Sequence, residues 1–374
     1  MQAGASVLDM FLELVAISSP SGRERDVADR VHSFLHDLGL ATDEDDAGGQ
    51  IGSDIGNILC RIPATCEGTP IFLNAHLDTV PPTAPIEPVV GFDGIVRNAG
   101  DTILGADNKA AVVAMLAAVR DRLADGRPHA GIELVFTPME EVGLQGAKRF
   151  DVSRLEAEFG YCYDHAAPIG AIVMAAPSQR SLQLTFRGRA SHSGMAPEQG
   201  RSAILAAARA IATMPFGRID DETTTNAGVI TGGIAGNIVA PGCVVSAEAR
   251  SRSPKRLTAV VQAILDAATA AASETGCEVE TAVTREYETY RFSSGEAPVE
   301  LAMRALETCG YEPIFIESGG GADANVFNAA GKRCLNLCNG AAEIHTSDEH
   351  IAVADLEGMT AVTVALIDCA RSGV

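Results

Sequence analysis

The sequence predicts an α/β fold with a largely parallel sheet, interrupted by a second domain of α+β type. Three observations carry that reading. Apolar strands alternate with apolar helices up to about residue 177 and again after about residue 291. Between them, residues 178–290 run strand, helix, strand, strand, helix, strand, the order of a ferredoxin-like unit. Imidazoles and carboxylates gather just past the predicted strands, where open α/β sheets carry their active sites.

The elements follow in order. Helical periodicity covers residues 7–17 and 24–38, with Ser21 as a cap for the second helix and Glu24 as its capping-box partner. Residues 41–54 are acidic and Gly-rich, a solvated turn or hairpin. Strands are expected at 56–61 and 70–75, and a Pro/Gly loop at 83–100. An Ala/Val/Leu helix at 109–124 precedes strands at 131–136 and 159–163. The middle domain has strands at 181–187, 226–231, 244–250 and 278–287, and helices at 201–214 and 255–275. The first texture then returns: a helix at 298–309, a Gly-rich turn at 318–322, a strand at 333–338 and a last helix near 353–371. The turn Ser318-Gly-Gly-Gly-Ala322 is no phosphate loop, because no GK[ST] follows.

Composition narrows the function. The chain of 374 residues is 47% hydrophobic and 21% charged, enough for two domains with a sizeable core. A net charge of −21, with no basic patch, argues against nucleic acid. No apolar run reaches membrane-span length, and the first twenty residues lack the basic start of a secretory signal. Nine irregularly spaced cysteines fit reduced thiols in the cytoplasm. Cys334 and Cys338 are one residue too far apart for a redox C-x-x-C pair and read as buried thiols.

The polar residues at the strand ends carry the chemistry. His76 and Asp78 follow the strand at 70–75, and Glu140 and Glu141 follow that at 131–136. Asp164 follows the strand at 159–163, Asp107 opens the helix at 109–124, and His345 lies before the last helix. Singly, each has a plain structural reading; Asp107 alone reads as a helix N-cap. Together, carboxylates crowded at one sheet edge repel each other, and two divalent cations are the simplest remedy. Imidazole with carboxylate suits zinc, with cobalt or manganese as substitutes. One carboxylate can bridge two ions. Of two adjacent glutamates, one can hold an ion while the other faces substrate and takes a proton from water.

The motifs HLDTVPP, GADNKA, MEEVG, YDH and IHTSDEH together resemble the co-catalytic zinc exopeptidases of the M20 family, over essentially the whole chain. The stretch YDHAAPIGAI resembles the tripeptide aminopeptidase (peptidase T) branch. The resemblance implies a zinc-exopeptidase-like α/β/α catalytic domain (1–177 and 291–374) with an inserted ferredoxin-like dimerisation or lid domain (178–290). It implies that His76, Asp107 and Asp164 hold one ion, that Asp107, Glu141 and His345 hold the other, and that Asp107 bridges. Asp78 would accept a hydrogen bond from the second nitrogen of His76 and fix its tautomer. Glu140 would be the general base that deprotonates the water bridging the two ions and then protonates the leaving amine.

In the inserted domain, GRASHSGMAPEQGRSAI contains His192. Its family equivalent reaches across a homodimer to stabilise the oxyanion. Asn237 and Arg250 resemble substrate-facing positions, Arg250 as a grip on a peptide carboxylate. His32, His36, His129, His165 and His350 read as structural or exposed.

Removal of the N-terminal residue from short peptides is therefore the expected activity. A deacylase or carboxypeptidase acting on N-acyl amino acids is the alternative; aspartate at 164 resembles the members that take free amino termini. A metal-binding protein without catalysis is a third reading, opposed by the presence of Glu140. One departure stands out: Asn108 follows Asp107 where a second aspartate is common in the family, which bears on metal preference.

Overall fold

Four parallel strands form the middle of the larger sheet, in the order Ile132–Thr137, Ile71–His76, Phe159–Tyr163 and Arg333–Leu337. The first two are buried along their whole length, which explains their near-continuous apolar sequences. Ile71 lies opposite both Ile132 and Phe159, and Phe159 opposite Arg333, so the four strands start and end nearly level. Antiparallel strands extend both edges: Ile58–Ile62 and Thr42–Glu44 on one side, Ala171–Ala176 on the other. The helix Ala106–Asp125 is buried from Ala106 through Val119, as its apolar circumference requires. It packs against the helix Val353–Arg371, and the buried guanidinium of Arg122 meets Asp368 at 2.8 Å.

The computed structural model describes residues 4–371; residues 1–3 and 372–374, the ends of the larger expected domain, lie outside the described residues. Contacts divide the chain into two units. One runs to Met174 and resumes over Arg291–Ser318 and from Ala322; the other comprises Ala175–Tyr290 with Gly319–Gly321.

The smaller unit has an antiparallel sheet in the order Thr223–Gly232, Gly242–Ser251, Ser178–Arg187, Glu278–Tyr287, the ferredoxin-like arrangement. The helices Ala203–Thr213 and Pro254–Thr275 cover one face. Leu182, Leu184 and Phe186, at alternate positions of one strand, join Ala206, Ala210, Ile264 and Ala268 in a single core. Each large side chain buried there contributes about 1.5–3 kcal/mol. Ser202 and Ser253 cap the two helices through the backbone N–H groups of Leu205 and Arg256.

Three expectations are corrected. Residues 41–54 contain the strand Thr42–Glu44 and the short helix Ala47–Ile51. Residues 83–100 contain a hairpin, Pro88–Val90 with Ile95–Asn98, onto which His350–Ala352 pairs as a third strand. Ser21 does not cap the second helix, which begins at Arg25 with Glu24 at the N-cap position and no side-chain cap. Among the described residues no helix is long and apolar enough to cross a membrane. All nine cysteines are free, Cys334 and Cys338 among the buried ones.

Candidate metal centre

Three neighbouring parallel strands deliver the first donors. His76 is the last residue of Ile71–His76, Asp164 follows Phe159–Tyr163, and Glu140 and Glu141 follow Ile132–Thr137 by a short turn. Asp107 comes from the start of the helix Ala106–Asp125, where Asp107 and Asn108 have non-helical dihedrals and the peptide bond between them is cis. His345 comes from the loop before His350–Ala352, at φ 65°. The register of the sheet thus gathers residues far apart in sequence.

The distances inside the cluster are informative. His76 Nε2 lies 3.4 Å from Asp107 Oδ1 and 3.8 Å from Asp164 Oδ1. His345 Nε2 lies 3.3 Å from Asp107 Oδ2 and 3.0 Å from Glu141 Oε1. Each oxygen of Asp107 therefore faces a different imidazole. Donors bound about 2.0–2.1 Å from a tetrahedral ion stand roughly 3.3 Å from one another. His76 Nε2 and Asp107 Oδ1 are buried with no hydrogen-bond partner, a costly arrangement for two polar atoms. The donor set fits metal ions: imidazole nitrogens and carboxylate oxygens converge, and two of them, His76 Nε2 and Asp107 Oδ1, are left unsatisfied by protein. His76 and Asp164 also have a Glu140 oxygen within 4.8 Å, and His76 and Asp107 a Glu141 oxygen within the same limit. The two adjacent glutamates thus serve different parts of the cluster.

Electrostatics follow from crowding and burial. Burial works against the charged form of Asp107, yet the facing imidazoles of His345 and His76 hold its pKa well below the usual carboxylate range. Burial likewise opposes a charged His76, but Asp107, Asp164 and Asp78 overcome it and raise its pKa. Asp107 and Glu141 push His345 up to about 10. Burial, reinforced by the Asp164 charge, raises Glu140 well above the ordinary glutamate value. Glu141 and Asp164 are also raised, chiefly by burial.

Asp78 meets His76 through two groups. His76 Nδ1 hydrogen-bonds the main-chain carbonyl of Asp78 at 2.9 Å, while the Asp78 carboxylate is 3.5 Å away, outside good hydrogen-bonding range. The tautomer of His76 is therefore set by backbone, with its proton on Nδ1 and Nε2 free to ligate. The carboxylate instead accepts the backbone N–H groups of Glu140 (2.9 Å) and Glu141 (3.2 Å) and the hydroxyl of Ser21 (2.6 Å). One buried aspartate thus fastens the turn that carries both glutamates. Glu24, buried, accepts the N–H of Met139, which has φ 55° just before that turn.

Further residues support the cluster, most of them without a sequence pattern that marks them as doing so. Asn336 grips the backbone of Asp164 twice, accepting its N–H and donating to its C=O, at 2.9 and 2.8 Å. Asp323, buried and pushed up to about 6 by burial, accepts from Thr137 and Asn74 beneath the strand ends. The run GGGADAN is a signal for Asp323; Ser21 and Glu24 read only as a helix cap and its partner, and Asn336 carries none.

The other expected residues belong to the smaller unit. His192 is exposed and pairs by its backbone with Ile238, beside the Ser193 N–H to Asn237 C=O bond, so the His192 and Asn237 loops run together. His192 Nδ1 accepts the N–H of Gly194, which leaves the neutral ring with its proton on Nε2. Arg250 is half-buried on Gly242–Ser251 and makes two hydrogen bonds to Glu248, both 3.0 Å.

The sequence profile of the Peptidase family M20/M25/M40 matches residues 72–368. The chain is 37% identical to the Bacillus subtilis protein YqjE over 362 residues, 97% of each. The crystal structure of the aminopeptidase PepT from Bacillus cereus is similar at a TM-score of 0.89 and 39% identity, covering 97% of this chain and 98% of that one. A tripeptidase structure from Staphylococcus aureus gives a TM-score of 0.93 at 36% identity, with 98% of both chains covered. The chain belongs to peptidase family M20/M25/M40, and it is a peptide hydrolase.

Proposed function

We propose that the chain is a two-metal aminopeptidase that removes the N-terminal residue from short peptides, tripeptides among them. The observation that carries this reading is Asp107, whose two carboxylate oxygens each face a different imidazole. The PepT aminopeptidase and the tripeptidase, similar over nearly their full lengths, supply the substrate class.

His76, Asp107 and Asp164 would hold one ion and Asp107, Glu141 and His345 the other, zinc by donor chemistry with cobalt or manganese as substitutes. Bound there, the ions supply Lewis acidity for the peptide carbonyl and for the attacking water. Glu140 takes a proton from the attacking water and delivers it to the departing amine nitrogen as the C–N bond breaks. Asp78 keeps Glu140 and Glu141 in place through their backbone N–H groups. His192 donates from Nε2 to the oxyanion in a second copy of the chain, so residues 178–290 act as lid and dimerisation domain and residues 1–177 with 291–374 as the catalytic domain. Asn237 and Arg250 face substrate, and Arg250 exchanges Glu248 for the peptide carboxylate. The setting is cytoplasmic.

The test compares Leu-Gly-Gly, its N-acetylated form and N-acetyl amino acids with zinc-loaded protein, following amine release. Turnover restricted to the free-amine peptide is expected. Turnover restricted to acylated substrates would make the protein a deacylase instead.

A further inference from the structure

The turn that presents Asp107 is held by a side chain outside the cluster. Glu349 is 2% exposed. Its Oε2 accepts the backbone N–H groups of Leu104 (2.8 Å) and Gly105 (2.7 Å), and its Oε1 accepts that of Asp107 (2.9 Å). The helix Ala106–Asp125 has no side-chain N-cap of its own, and its N-cap residue is Gly105 at φ 77°. Glu349 therefore serves as a cap brought from 242 positions away in sequence.

The same residue stands four positions beyond His345. The backbone between them is tied by Glu349 N–H to Thr346 C=O, Thr346 Oγ1 to Glu343 C=O and Asp348 N–H to Thr346 Oγ1. Beyond Glu349, the strand His350–Ala352 is paired with Ile95–Asn98. The His345 loop is thereby anchored at Glu349, and Glu349 is anchored to the Asp107 turn.

We propose that Glu349 is a positioning residue of the metal centre, locking the Asp107 turn to the His345 loop so that Asp107 addresses both ions at once. The proposal rests on the two-ion reading. Without the carboxylate, three buried N–H groups lose their acceptor, and unpaired buried donors are costly. The turn must shift to find new partners, and Asp107 turns with it. Because Asp107 faces both imidazoles, both ions are weakened together. Removing a ligand of one site has a different signature, the loss of one ion.

The experiment uses the full chain with Glu349→Gln, which keeps the shape but replaces one oxygen by a donor. Glu349→Asp, which keeps the charge but falls short of spanning the turn, is the second variant. Metal-free proteins are titrated with Co2+, reading stoichiometry, affinity and the visible absorption spectrum, with circular dichroism as the check on folding. The expected result is an affinity for both ions lower by about 10–100-fold and an altered cobalt spectrum, in a folded chain. At saturating Co2+, kcat should recover further than kcat at limiting Co2+. Wild-type affinity and spectrum in either folded variant would overturn the proposal, even with a lowered melting temperature, because that is the signature of a purely structural cap. Failure of the two-ion reading would look different: a single Co2+ bound per wild-type chain.

Discussion

The two sides of Asp107 differ in kind. Oδ1 faces His76, a strand residue 2% exposed, with Asp164 beside it, its backbone gripped twice by Asn336. Oδ2 faces His345, whose side chain is 45% exposed on a loop at positive φ, and Glu141 in a turn. The inner side is built from the level ends of parallel strands and is rigid by construction. The outer side is built from connecting segments, each held by a few long-range hydrogen bonds. An ion on the inner side should be slow to exchange, and one on the outer side should respond to solvent, chelators and pH.

The largest expected effect tests which side Glu140 serves. Its carboxylate lies near His76 and Asp164, yet its proposed role is proton transfer. Glu140→Gln should lower kcat by about 10^2–10^4-fold while the protein still binds two ions per chain. Loss of the inner ion in this variant, measured by mass spectrometry, would make Glu140 a ligand and redraw the division.

Next come the two imidazoles. His345→Ala should leave one ion held at wild-type affinity and weaken the other by more than the about 10–100-fold typical of losing an outer partner. His76→Ala should compromise the inner ion instead, a contrast that competition with a chelator would read. Equal effects of the two substitutions would remove the inner/outer distinction.

A smaller effect is expected from Ser21→Ala. It removes one hydrogen bond to the Asp78 carboxylate and so loosens the glutamate turn, at a cost of about 1 kcal/mol or roughly a fivefold fall in kcat. Steady-state kinetics with unchanged metal content is the check; an unchanged kcat would show that the two backbone N–H groups alone hold Asp78.

The smallest effect is a pH dependence of the metal-free protein. Asp107 and Glu141 raise His345 from 6.5 to about 10 in the folded chain. A pKa raised by folding stabilises the folded state fully below about 6.5, and that contribution is lost as pH rises through about 10. His76 is shifted in the same direction. The melting temperature of the metal-free protein should therefore decline over that window, modestly because His345 is part-exposed. With metal bound, ions replace these protons and the decline should vanish.

The inner side was legible in the sequence because its logic is local. An apolar run ending in His76, or in Tyr163 followed by Asp164, states both a strand and what lies past its end. The supports were not legible, because each joins segments that only the fold brings together. Ser21 looks like a helix cap within its own neighbourhood, but its partner is Asp78. Asn336 sits in an apolar strand and meets Asp164 across 172 positions. Asp78 lies beside His76, but the atom nearest the ring is its carbonyl, which no sequence pattern distinguishes from its carboxylate. The 88–98 hairpin is not legible in the sequence because its strands are short and its Pro and Gly content imitates a loop.

The most direct test of a two-ion centre shared by Asp107 is an anomalous diffraction measurement at the zinc edge on crystals of zinc-loaded protein. Two peaks about 3.5–4 Å apart are expected, one on each side of the Asp107 carboxylate, the inner within reach of His76 and Asp164 and the outer within reach of Glu141 and His345. A single peak, or two peaks that do not share Asp107, would contradict that shared centre.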